Sequence, residues 1–143
     1  MKEETVVNIL INELEKRGLT YRKECPLRSG YRIDIVIYPE RYKRKDYREK
    51  FIKKCKTFKH YPEHSILIEC KGDTFSDNAV LEQLNNYYRQ AGKTNAFFFA
   101  LPFEQAKRFA WFFHKFNKKI GVIGIFWEGI DVLYNPFNIE VIK

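Results

Sequence analysis

Three residues of this chain are of types that do chemistry together: Asp34 in "YRIDIVIY" (residues 31–38), and Glu69 and Lys71 in "SILIECKGD" (residues 65–73). Both acids lie in apolar runs with strand character, and a strand sends successive side chains to opposite faces. Glu69 and Lys71 should therefore share a face with Leu67, and Ile66, Ile68 and Cys70 the other. In the earlier run, Ile33, Ile35 and Ile37 should share one face, with Arg32, Asp34 and Val36 opposite. A carboxylate in such a setting is strongly destabilising unless something compensates it. Two arrangements would do so. In one, Lys71 or Arg32 neutralises an acid in a structural salt bridge at a partly wet strand end. In the other, Asp34 and Glu69 converge on a divalent cation. Two carboxylates, a main-chain carbonyl and waters suit a hard ion such as Mg²⁺. Lys71 would then lie beside the bound water, where it can orient the nucleophile and stabilise charge on a phosphate. Glu-x-Lys occurs once in the chain, at the end of its most strand-like segment.

The elements that must hold these residues can be read from periodicity. Val6, Val7, Leu10, Ile11 and Leu14 form a helical stripe over 3–17, stopped by Gly18. Residues 20–27 and 31–38 read as two strands of a hairpin around the Ser29-Gly30 turn. Strand three is "SILIECK", followed by a helix from about Ser76 or Asp77 to Gln90, closed by Gly92. "NAFFFALP" is a continuous apolar run, expected of a strand covered on both faces. A helix over 104–118 carries Phe109, Phe112, Phe113 and Phe116 on one side, and "IGVIGIFW" is strand five. Short segments near 131–134 and 138–142 are expected to add edge strands. The order predicts one α/β domain over 1–143, a mixed β-sheet flanked by helices. Between strands two and three, at about 40–62, lies a basic insertion. It reads as a helix with Tyr47, Phe51, Cys55 and Phe58 on one side.

The net charge of +8 is concentrated in that insertion. From Glu40 to His60 there are ten Lys and Arg against three acids, so the excess elsewhere is small. Such a block points to a polyanion, nucleic acid first and an acidic membrane surface second; the plain alternative is a solvated lysine-rich insertion. No apolar stretch approaches the ~20 uncharged residues of a membrane span, and Met1-Lys2-Glu3-Glu4 does not read as a signal peptide. Three cysteines (Cys25, Cys55, Cys70), odd in number and without CxxC spacing, fit a reducing, cytoplasmic setting.

Helix, hairpin, a strand with Asp, then Glu-x-Lys: this succession resembles the PD-(D/E)xK nuclease superfamily. "ETVVNILINELEKRGLTYRKECPLRSGYRIDIVIY" followed by "ILIECKGD" is particularly similar to archaeal Holliday-junction resolvases and the restriction-type nucleases near them. The resemblance covers Glu3 to about Phe103 apart from the insertion. It implies a restriction-endonuclease-like fold and a DNA endonuclease dependent on Mg²⁺ or Mn²⁺, with junction-resolvase-like structure specificity one form of that activity. Asp34 and Glu69 would be metal ligands, the Cys70 main-chain carbonyl a third, and Lys71 the catalytic lysine. Resolvases place a glutamate near the start of the first helix; an ungapped register puts Glu3 there, with Glu4 the alternative. Either is equally an ordinary first-turn acid favoured by the helix dipole. Gln83 and Tyr87 share a helix face and resemble the Gln-x-x-x-Tyr of RecB-type exonucleases, where these residues help hold the active site and the DNA. Ile33 stands where the proline that names the motif would be, and the insertion is not expected in a minimal resolvase. Its Arg41, Lys43, Arg44, Lys45, Arg48, Lys53 and Lys54 would supply phosphate contacts. The rival reading is a nuclease-fold protein that binds nucleic acid without cutting it.

Other signals carry less. His60 and His64 are separated by Pro62, which disfavours the helix that would align them on zinc. There is no Gly-rich phosphate loop. The aromatic helix over 104–118 reads as core or as a homodimer face rather than as a base-stacking platform.

Overall fold

The computed structural model describes residues 1–26, 32–39, 64–90 and 95–142. The basic insertion, its expected helix and its phosphate-contact residues lie outside them. The described elements are α1 (Glu3–Lys16), β1 (Tyr21–Pro26), β2 (Arg32–Ile37), β3 (Ile66–Cys70), α2 (Asp77–Gln90), β4 (Ala96–Pro102), α3 (Phe103–Lys115), β5 (Gly121–Phe126) and β6 (Gly129–Tyr134).

The six strands form one mixed sheet in the order β1-β2-β3-β4-β5-β6. β1, β2 and β3 are successively antiparallel, β3, β4 and β5 are parallel, and β6 returns antiparallel. Parallel neighbours need a crossover, and α2 and α3 supply the two. A constant crossover hand puts both helices on one face of the sheet. Val80, Leu84 and Tyr87 of α2 and Ala106, Phe109 and Phe113 of α3 accordingly pack with Leu67, Phe97, Phe99 and Leu101. The opposite face takes α1, whose Val6, Leu10, Ile11 and Leu14 pack with Ile35, Ile68, Phe98 and Ala100. The run "AFFFALP" is buried at every position because both of its faces are covered. Each fully buried Phe there contributes on the order of 2–3 kcal/mol.

α1 stops where the sequence requires. Gly18 adopts φ +68°, its N–H donates to the Glu15 carbonyl, and the Leu19 N–H donates to the Leu14 carbonyl. This pair of bonds closes the helix on a left-handed residue that glycine adopts without strain.

Two expectations are corrected. Strict alternation put Ile33 with Ile35 and Ile37, yet Ile33 packs on the α2–α3 face while the other two pack on α1. β1 shows the same exchange, with Tyr21 on the α1 side and Cys25 on the other. The ribbon turns over between the pairs Lys23–Ile35 and Cys25–Ile33, where Glu24 has φ +48°. Asp34 stands opposite that turnover. The second correction concerns 138–142, which is not a strand. Asn135 donates to the Ile139 carbonyl and accepts from its N–H, so the segment's ladder groups are used locally. Arg17 donates to the Val141 carbonyl, and Ile142 is buried on the α1 face. Among the described residues, no helix is long and apolar enough to cross a membrane.

Candidate active site

The sheet end formed by the start of β2 and the finish of β3 brings the two acids together. The β2–β3 pairing runs from Ile37–Ile66 to Ile35–Ile68, and one more step of that register sets Asp34 across from Glu69. There the side chain of Asp34 enters the ladder: its Oδ2 accepts the Cys70 N–H at 2.7 Å. Asp34 also hydrogen-bonds with Glu69, so the two carboxyls lie well within reach of a common cation.

Glu69 is 4% exposed, and its Oε2 is buried without a hydrogen-bond partner among the described residues. Burial first, then the bond to Asp34 and its charge, push the Glu69 carboxyl up to about 10. At neutral pH it therefore holds a proton. Neither Lys71 nor Arg32 neutralises it in a salt bridge. Lys71 Nζ instead lies 3.7 Å from Glu3 Oε1, and both side chains are partly solvated. The structural salt bridge that sequence reasoning left open is thus made by the lysine with another acid, and Glu69 is left without a cationic partner.

α1 brings Glu3 to the site through a backbone contact. A Cβ on Gly72 would stand 2.7 Å from the Glu3 nitrogen and 2.8 Å from the Met1 carbonyl oxygen. Only a glycine lets the "CKGD" turn approach the helix start this closely. The Asp73 N–H then donates to the Met1 carbonyl at 3.0 Å. Burial and Asp34 push the Glu3 carboxyl up, and Lys71 partly offsets them. Glu3 and Glu4, with Asn8, Lys23, Glu24 and Asp34, line a cleft of about 290 Å³. Four acids against one lysine make it hostile to a bare phosphate and receptive to cations.

α2 closes the other side. Gln83 Nε2 donates to the Tyr87 hydroxyl at 3.1 Å, and that hydroxyl donates to the Arg32 carbonyl at 3.4 Å. Burial, then the Glu69 charge, push the Tyr87 phenol up to about 12. Tyr87 is 3% exposed, which corrects its expected place on a nucleic-acid surface: it braces Glu69 and Arg32 from inside. The Cys70 side chain packs on the α1 face, where burial pushes its thiol well up. A thiol held in that form is no nucleophile.

Sequence reasoning had named Glu3, Asp34, Glu69, Cys70, Lys71, Gln83 and Tyr87, and all seven gather at this sheet end. The role of Gly72 was not legible, because a close backbone approach leaves no pattern in a single sequence. Glu24 was also missed, and only its left-handed backbone places it at the cleft. A larger cleft of about 620 Å³ lies at the opposite end of β3, around Ile37, Ile66 and Ala96. Its described lining contains no acid, so its size does not make it the chemical centre.

Among the described residues, no group of three or more His, Cys, Asp and Glu side chains is assembled as a metal cage. Two facing carboxyls with an orphaned buried oxygen do fit a hard cation that also takes a main-chain carbonyl and waters. No family model matches the chain, and neither a curated protein nor a solved structure does.

Proposed function

We propose that this protein is a Mg²⁺- or Mn²⁺-dependent DNA endonuclease of the PD-(D/E)xK type, with a restriction-endonuclease-like fold. The observation that carries the reading is Glu69: a buried carboxyl with an unpartnered oxygen, set against a second carboxyl and left unneutralised by the lysine two residues away. A retired or merely structural site gains nothing from that arrangement, which keeps a buried acid protonated and without a cationic partner.

Asp34, Glu69 and the Cys70 carbonyl would hold the cation, with Glu3 beside them. A cation bound there supplies positive charge to a phosphodiester and acidifies a water. The chain's own residues do the rest. Glu69 would hold the cation as a carboxylate, its proton released to solvent, and Asp34 keeps its orientation through the Cys70 N–H. Gln83 and Tyr87 brace the acid pair from the core side. Lys71, tethered loosely by Glu3, presents an ammonium that can hold the attacking water and hydrogen-bond a phosphate oxygen. Lysines and arginines of the 40–62 insertion supply salt-sensitive, sequence-independent phosphate contacts.

The test uses labelled linear, single-stranded and four-way-junction DNA with Mg²⁺, Mn²⁺ or EDTA, beside Asp34→Ala. Cutting that needs the cation and is lost in the variant supports the nuclease, and the favoured substrate names its class. Binding without cutting on every substrate replaces it with a nucleic-acid-binding role.

A further inference from the structure

The buried stripe of α3 is Ala106, Phe109, Ala110 and Phe113. Phe109 and Phe113 thus belong to the core, whereas Phe116, expected on the same side, is 55% exposed past the end of the helix, and Trp111 on the outer side is 63% exposed. Cations flank that indole along the helix, Lys107 and Arg108 one turn before it and Lys115 one turn after, with Lys107 lying over Phe103 and Arg108 over Phe109. Lys115 Nζ lies 4.7 Å from the Trp111 ring centre and 5.8 Å from that of Phe116. Between Phe103 and Lys119 there are five Lys and Arg against one acid.

We propose that this outer stripe of α3 binds single-stranded nucleic acid, Trp111 stacking a base while Lys107, Arg108 and Lys115 take the neighbouring phosphates. An exposed indole offers a π-face that any base can use, and cations spaced along the same stripe match the phosphates of the strand. Charge decides against a second copy of the chain. A two-fold contact would lay this basic stripe on itself, like charge against like. An anionic membrane fits less well, because the broad apolar arc of α3 is spent in the core and cations interleave with the aromatics that remain outside. The existing partners of the stripe do not block it. Lys107–Glu104 and Arg108–Asp77 are both 2.9 Å pairs between side chains about half or more exposed, which solvent weakens and a phosphate can replace.

The proposal goes beyond the nuclease reading and is tested without it, in EDTA. Binding of a labelled thymidine oligonucleotide is followed by anisotropy, and of the unlabelled strand by tryptophan fluorescence. Trp111→Ala should weaken binding about 10-fold, the range of one lost stacked base. Trp111→Phe should keep most of the affinity, and Trp127→Ala, which removes the other exposed indole (70% exposed), should change nothing. Lys115→Gln should lower the slope of log affinity against log salt by about one. Wild-type affinity in Trp111→Ala would overturn the proposal. So would fluorescence quenching that survives in Trp111→Phe, where only Trp127 remains. Binding to phosphatidylserine vesicles in place of the oligonucleotide, or a dimer in sedimentation that Trp111→Ala dissolves, would also replace it. Stacking by Trp111 without cleavage on any substrate would sink the nuclease reading alone.

Discussion

Replacing Glu69 by glutamine should stabilise this protein at neutral pH in the absence of divalent cation. Glu69 titrates at about 10 in the folded chain against an ordinary 4.5. Between those values the folded state holds one proton more than the unfolded state, so stability falls as pH rises, by about 1.4 kcal/mol per unit. The loss is absent below about pH 4.5, accumulates through neutrality and levels off near 10. At pH 7 the interval is about 2.5 units, so the buried acid costs on the order of 3 kcal/mol. Glutamine has the same shape, keeps a donor for Asp34 and has no charge to desolvate. Urea unfolding in EDTA at a series of pH values would measure this. Glu69→Gln should match the wild type near pH 4.5 and exceed it by about 2–3 kcal/mol at pH 7. Taking the difference removes Glu3, whose upward shift has the same sign in both proteins. Saturating Mg²⁺ should then close the gap by stabilising the wild type alone, because binding to the folded state adds RT ln(1 + [L]/Kd). A gap that does not change with pH, or a variant less stable at pH 7, would refute the buried-acid account. A gap that Mg²⁺ leaves untouched would refute the cation site while leaving the burial argument intact.

Asp34→Asn keeps an acceptor for the Cys70 N–H, so it should unfold near the wild-type urea midpoint yet lose cation-dependent cutting. Asp34→Ala orphans that N–H and should cost a further ~1–3 kcal/mol. Gly72→Ala drives a methyl into the backbone of Met1–Glu3. It should cost about 2 kcal/mol and reduce cutting by shifting Glu3 and Lys71; equal stability would show that the turn yields freely. Lys71→Gln breaks only a loose, partly solvated pair. Its unfolding free energy should change by less than about 1 kcal/mol while DNA cleavage falls to background. Tyr87→Phe removes the hydroxyl that joins Gln83 to the Arg32 carbonyl, and calorimetry should register a loss of about 1–2 kcal/mol.

What the sequence determined by itself is local. The α1 stripe, the Gly18 stop, the fully apolar β4 and the crossover order β3-α2-β4-α3-β5 all follow from period and turn chemistry acting over a few residues. So does the presence of acids inside two strands, since an isolated Asp34 or Glu69 among isoleucines is visible in the chain. Partnership is not local. Whether Lys71 would neutralise Glu69 depended on the approach of α1, and only the packing of Gly72 against Met1–Glu3 drew that lysine toward Glu3. Tyr87 was legible as a neighbour of Gln83, but its burial came from α2 lying on the sheet. Alternation misplaced Ile33 because a twist shared by two strands exchanges their faces, and neither strand carries that twist alone. The aromatic helix divides the same way. Its 3.6-residue period put Phe109, Phe112, Phe113 and Phe116 on one side, but that Phe109 and Phe113 are core while Phe116 and Trp111 stay exposed followed from how α3 met the sheet. Side-chain types are written in the chain, but solvation and neighbours belong to the folded surface, and the energy of a buried charge depends on those two.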